Sequence, residues 1–178
     1  KILKNIQSVH ICTPLKNHFK NLKEFNYFKK TAIEKPFLRD TNELNIIQKN
    51  YKKKYLIVNY IDTFNPLVSK IQETLKKEKF HQIILNYSKK NRYYKNKNDF
   101  AIDWLDHPLS LILLFFKDFP KFDIELNRLR KKNAKFNKKI IINYNFKNFD
   151  LKIKLNCSNF IERNLQVFSN NYVKTFYF

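Results

Sequence analysis

The sequence predicts a mixed α/β (α+β) fold, from a strand–helix–strand succession at residues 54–88, a helical middle and an amphipathic β-hairpin at 139–156. In the first of these, residues 55–61 (YLIVNYI) are short, β-branched and aromatic-rich, which suits a strand. Asn65 and Pro66 then supply a cap and a first helical position that needs no amide proton. Leu67, Val68, Ile71 and Leu75 recur on one helical face, with Lys70, Glu73, Lys77 and Glu78 opposite. Residues 82–87 (QIILNY) read as a second strand, so the stretch is expected to be a βαβ unit with a right-handed crossover. In the hairpin, Ile140, Ile142, Tyr144 and Phe146 alternate on one strand, and Phe149, Leu151, Ile153 and Leu155 on the next. With Lys147 and Asn148 as a two-residue loop, Phe146 faces Phe149 and Ile140 faces Leu155, and every one of these apolar side chains falls on one face.

The rest of the chain is predicted around these pieces. Residues 1–53 form an N-terminal extension, and residues 54–178 an α/β RNA-binding domain. Residues 1–11 are expected as a short strand or extended arm. Leu15, Phe19 and Leu22 follow Pro14 at helical spacing, with Lys16, Lys20 and Lys23 opposite, which predicts a basic amphipathic helix. Residues 34–40 read as a turn or extended connection and 42–49 as one or two helical turns. Asp106 and Pro108 mark a helix start, and positions 109–116 are apolar except for Ser110, so this helix is expected to be buried on more than one side. Pro120 ends it. Residues 121–135 are predicted as a further helix, Phe160, Ile161, Leu165 and Phe168 as a short one, and 172–178 as a strand.

Composition narrows the function. The 178 residues suffice for one domain or two small ones. A hydrophobic content of 43% with 18 Phe and 10 Tyr excludes a fully disordered chain. Lys and Arg number 36 against 15 acids, a formal +21, and such self-repulsion asks for a polyanionic partner. The excess of Lys, Asn, Ile, Phe and Tyr also follows A/T-rich codons, the signature of an AT-rich genome. With no glycine at all, phosphate-binding loops and the usual nucleophile elbow cannot be written. Cys12 and Cys157 give no disulfide framework, so a reducing compartment is expected. No run of 18 apolar residues is present, so no membrane span is predicted.

Two basic patches stand out. Lys89, Lys90, Arg92, Lys95 and Lys97 enclose Tyr93 and Tyr94, and are predicted to lie on phosphates while a tyrosine stacks. Arg128, Arg130, Lys131, Lys132, Lys135, Lys138 and Lys139 form the second, in a stretch without an acid. Between them, residues 99–125 carry six acids against Lys117 and Lys121, which predicts core or a protein contact there. Chemistry is sparse. His10, Cys12 and His18 match no standard zinc spacing. Asp103, Asp106 and His107 could be drawn as an acid–base set, but Asp106 is explained as a helix cap and His107 as its neighbour at the helix start. No catalytic residue, no metal and no cofactor is therefore expected.

The glycine-free, Lys/Asn/Phe/Tyr/Ile-rich chain resembles the ribosomal proteins encoded in ciliate-type mitochondrial genomes. Residues 55–80, with DTFNPL at 62–67, are similar to the first strand and helix of the tenth small-subunit ribosomal protein. Residues 67–84, above all LKKEKF at 75–80, are similar to the eighth. The resemblance implies a non-enzymatic constituent of the mitochondrial ribosome, small subunit favoured, in the mitochondrial matrix. Its expected partners are rRNA and neighbouring ribosomal proteins, the latter through residues 99–125 and the aromatic C-terminus, with no homo-oligomer. The alternative is a soluble accessory subunit of a mitochondrial membrane (respiratory) complex. Cations spread over loops and helix ends, and not along one amphipathic helix, favour RNA. A maturase- or nuclease-like RNA enzyme is set aside because no clustered carboxylates are present.

Overall fold

The computed structural model describes residues 6–51, 55–90, 104–116, 123–125, 139–158 and 160–178. The chain divides into two compact units, Lys1–Tyr60 and Ile61–Phe178.

The first unit alternates strand and helix: β1 (Ser8–Ile11), α1 (Leu15–Glu24), β2 (Lys30–Glu34), α2 (Thr41–Tyr51) and β3 (Tyr55–Asn59). Its three strands are parallel in the order β1-β2-β3. Ile11, Leu22, Ile33, Ile47 and Tyr51 make the core, with Phe19, Phe25, Leu56 and Val58 packed around them. The helix expected at 15–25 is α1, and Leu22 is its inward anchor. Asp40 starts α2: its carboxylate accepts from the amides of Asn42 (2.9 Å) and Glu43 (3.0 Å). Two otherwise orphaned helix-end amides are thereby satisfied, and Glu43 in turn accepts from the Arg39 amide (3.0 Å) and pairs with its guanidinium. The stretch expected as an extension thus carries two strands and two helices of a parallel α/β layer.

The second unit begins with a 3-10 turn (Ile61–Phe64) and α3 (Leu67–Lys77), followed by β4 (Gln82–Lys90) and α4 (Asp106–Phe116). Strands β5 (Asp123–Glu125), β6 (Lys139–Asn145), β7 (Asp150–Ser158), β8 (Glu162–Phe168) and β9 (Val173–Tyr177) complete it. The sheet runs β5-β6-β7-β4-β8-β9, antiparallel except where β4 lies parallel to β7. Its apolar face carries Ile83, Leu85, Ile140, Ile142, Leu151, Ile153, Leu155, Leu165 and Val167, and packs with Val68 and Ile71 of α3 and Leu111 and Ile112 of α4. The opposite face holds a polar row in which Asn86 donates to Asn164 (2.8 Å) and Asn164 to Glu162 (2.6 Å).

The hairpin has the expected register: Ile140 pairs Leu155, Ile142 pairs Ile153, and Tyr144 pairs Leu151. The Phe146 amide donates to the Phe149 carbonyl at 2.8 Å, closing the turn, and the two rings stack 4.3 Å apart. Asn65 Oδ1 accepts from the Leu67 amide (2.9 Å), and Lys77 donates to Glu73 (2.6 Å), both as the sequence suggests.

Three expectations change. Strand β3, helix α3 and strand β4 succeed one another as predicted, but β3 belongs to the three-stranded sheet and β4 to the six-stranded one, so α3 is no crossover within one sheet. Residues 162–168 are a strand, because Leu165 and Val167 alternate into the core at period two. Residues 123–125, expected within a helix, are the edge strand β5; the rest of 121–135 lies outside the described residues, apart from that strand. Among the described residues no helix is long and apolar enough to cross a membrane.

Candidate functional site

A buried polar cluster in the second unit is the strongest site. Asp62 stands in the 3-10 turn that packs against α4, and only 5% of its surface is exposed. Its Oδ1 accepts from Arg163 Nη1 at 3.0 Å, and its Oδ2 from the Tyr87 hydroxyl at 2.9 Å. Tyr87 and Arg163 are directly opposed on β4 and β8, so sheet register alone brings them together. His107, in the first turn of α4, sets Nδ1 3.1 Å from Asp62 Oδ2, close but short of good hydrogen-bond alignment.

Trp104, the sole tryptophan, walls the cluster. Its ring lies 5.6 Å from His107 and edge-on to Tyr87 at 6.5 Å. Lys89 Nζ sits 4.3 Å and the Arg163 guanidinium 5.3 Å from the indole centroid, both in cation–π range.

The electrostatics follow from the contacts. Burial pushes the Asp62 carboxyl up, but His107, Arg163 and the Tyr87 hydroxyl together outweigh it and hold the group below the usual carboxylate range. Burial first, then the Asp62 charge, drives the Tyr87 phenol upward, so it stays a hydrogen-bond donor. His107 turns Nδ1 to the Asp62 carboxylate, so Nε2 is the ring nitrogen left for another partner. Trp104 Nε1 and Arg163 Nε are buried there without a hydrogen-bond partner among the described residues. Orphaned donors gathered around an ionised acid and an imidazole are what a site for a polar ligand leaves behind.

The first unit has its own arrangement at the C-terminal ends of its strands, the edge at which open parallel sheets bind ligands. Buried His18 ties two strand-end loops: Nδ1 lies 2.9 Å from the Pro36 carbonyl and 3.1 Å from that of Phe37, and Nε2 lies 2.6 Å from that of Thr13. His18→Ala strands those carbonyls, and is expected to cost about 1–3 kcal/mol. The check is a lower urea midpoint with an unchanged slope. His10 and Cys12, grouped in the sequence with His18, lie instead with Glu34.

Of the residues predicted for RNA, Lys89 covers Trp104 and Lys139 begins β6 beside Lys152 and Lys154. Burial, then those two ammonium groups, pulls Lys154 below the ordinary lysine range. Lys90 ends β4. Arg92, Tyr93, Tyr94, Lys95, Lys97, Arg128, Arg130, Lys131, Lys132, Lys135 and Lys138 lie outside the described residues, as does Asp103. The set-aside His107 proves to belong to a cluster that includes Asp62, Tyr87 and Arg163. Those three escaped sequence reasoning because they sit in a turn and in two strands, with Asp62 and Arg163 101 positions apart.

No protein-family model matches the chain, and no curated protein sequence does. Solved structures do match. A dehydrogenase from Clostridium difficile superposes with a TM-score of 0.82 at 13% identity, over 98% of this chain and 58% of that one. A myo-inositol dehydrogenase from Corynebacterium glutamicum gives 0.78 at 12%, over 99% and 58%. UDP-N-acetylglucosamine 3-dehydrogenase from Acidithiobacillus ferrooxidans gives 0.77 at 16%, over 99% and 59%. The chain therefore spans under two thirds of the length of these structures. Their likeness corrects the ribosomal reading, and with it the rRNA and ribosomal-protein partners, the role in translation, the membrane-complex alternative and the expectation of no enzyme. The physical reason is that net charge speaks to solubility and non-specific association but not to fold. The chain has a mixed α/β fold, a parallel sheet followed by a second, mixed sheet, and this fold is similar to that of these dehydrogenase structures.

Proposed function

We propose that the chain belongs to an oxidoreductase that acts on a hydroxyl group of a small polyhydroxylated substrate, a polyol or sugar derivative. The observation that carries the reading is the Asp62–His107 pair, buried beside Arg163, Tyr87 and Trp104. The dehydrogenase likeness supports it, and the solved structures named for myo-inositol and UDP-N-acetylglucosamine point to the substrate class.

Oxidising an alcohol to a carbonyl removes a hydride from carbon, which passes to an external two-electron acceptor, and a proton from oxygen. His107 is the group for the proton, taking it at Nε2. Asp62 across the ring then stabilises the imidazolium that forms, the role a buried carboxylate plays behind a catalytic histidine. Arg163 and Tyr87 keep Asp62 anionic and fixed. Trp104 and the stem of Lys89 supply an apolar wall with a cation above it, suited to a sugar ring carrying hydroxyls. The fold implies a dinucleotide as hydride acceptor, but the 178 residues hold no glycine and so no glycine turn for its pyrophosphate. These residues do not fit that part of the group, and no step is assigned through it.

Trp104 makes the reading testable without turnover, because its fluorescence reports this site alone. Titration of the intact protein with polyols and nucleotide sugars is expected to give a saturable change with at least one of them, lost in Arg163→Ala. No response to any of them contradicts the proposal.

A further inference from the structure

The first unit carries a second cluster that the proposed oxidoreductase chemistry does not use. His10 is in β1, level with Ala32 of β2, and Ile11 is level with Ile33. Continuing that register by one residue brings Cys12 level with Glu34, which pairs with Asn59 of β3. Side chains alternate along a strand, so Ile11 and Ile33 enter the core while His10, Cys12 and Glu34 emerge together on the other face. Their donor atoms all lie within 4.8 Å of one another, and His10 Nε2 is 3.4 Å from Glu34 Oε1. Cys12 is a free, exposed thiol.

We propose that His10, Cys12 and Glu34 form a binding site for a zinc-type divalent transition metal. A thiolate, an imidazole and a carboxylate are a borderline-soft set, and this combination selects zinc or its tetrahedral analogues over magnesium or calcium. Tetrahedral bonds of about 2.0–2.3 Å place ligand atoms about 3.5 Å apart. Small side-chain rotations of His10 and Glu34, both partly exposed, close the set to that spacing without moving the strands. Three protein ligands leave a fourth position for water or a substrate atom. Asn59 Nδ2 donates to Glu34 Oε1 at 2.6 Å, which orients the carboxylate as the partners of metal ligands do. An ordinary ion pair accounts for His10 and Glu34 but gives no reason for the thiol beside them. Binding exchanges the Cys12 thiol proton for the metal, so affinity rises with pH and one proton is released.

The test is a cobalt(II) titration of the chelator-treated full chain, followed by zinc. The expected result is one equivalent bound with intense tetrahedral visible bands and a near-ultraviolet thiolate-to-cobalt band, both bleached by zinc. Cys12→Ser, at an exposed position, is expected to fold normally and to lose the thiolate band. Cys157→Ser keeps it. Asn59→Ala is expected to weaken binding by about 10- to 100-fold. Absence of tetrahedral bands, or a thiolate band that survives Cys12→Ser, overturns the site whatever becomes of the His107 cluster.

Discussion

Asp62→Ala is expected to destabilise the second unit by about 3–5 kcal/mol, the cost of breaking a buried ion pair by deleting one partner. The substitution leaves the Arg163 guanidinium without its counter-charge and the Tyr87 hydroxyl without its acceptor, in a setting where Asp62 itself is 5% exposed. Equilibrium urea unfolding is the check, and a shift within error of zero would show that the cluster is not held by this carboxylate. The pH dependence has a definite sign. Because the folded protein holds Asp62 below the ordinary carboxylate pKa, the unfolded chain binds its proton more readily in acid. The stabilisation is therefore present above about pH 4, the unfolded value, and fades as the pH falls through the lower folded value. Asp62→Asn is expected to remove that acid-dependent component while preserving shape, so the wild-type and variant stability curves converge in acid.

His107→Gln is expected to reduce turnover by about 100- to 10,000-fold, the usual contribution of a positioned acid or base. Glutamine keeps a polar group of similar reach at the start of α4 but cannot shuttle a proton. The loss is expected in kcat, with the substrate-induced Trp104 fluorescence change retained, because Trp104, Lys89 and Arg163 still form the wall. Loss of the fluorescence response together with activity would reassign His107 from proton transfer to architecture. A variant with full turnover would remove it from the mechanism.

Local pattern carried the elements that local pattern determines. The 139–156 hairpin was legible because period-two alternation on both strands fits only one register around Lys147 and Asn148. Helix α3 was legible from its Asn65–Pro66 start and its apolar face. Which sheet a strand joins was not, since β4 finds its partners at residues 150–158 and 162–168, far along the chain. Residues 160–168 satisfied helical spacing through Ile161, Leu165 and Phe168, yet Leu165 and Val167 face the core together, which only a strand permits.

The function was misread for a different reason. The net charge of +21 speaks to solubility and non-specific association and not to fold, so it could not identify a partner. The cluster is assembled from a turn, two strands and a helix start, and no spacing motif could announce it. Its only sequence trace was His107 behind an acid at a helix start, a pattern that capping explains equally well.

In the proposed reaction Asp62 and His107 handle the proton of a substrate hydroxyl during its oxidation. The most direct measurement is substrate-dependent reduction of an added artificial two-electron acceptor by the intact protein, over the polyols and nucleotide sugars that perturb Trp104, with wild type beside His107→Gln. Wild type is expected to reduce the acceptor, and the variant to lose about 100-fold or more of that rate. No reduction with any ligand that binds at Trp104, or equal rates in the two proteins, would contradict the proposed reaction.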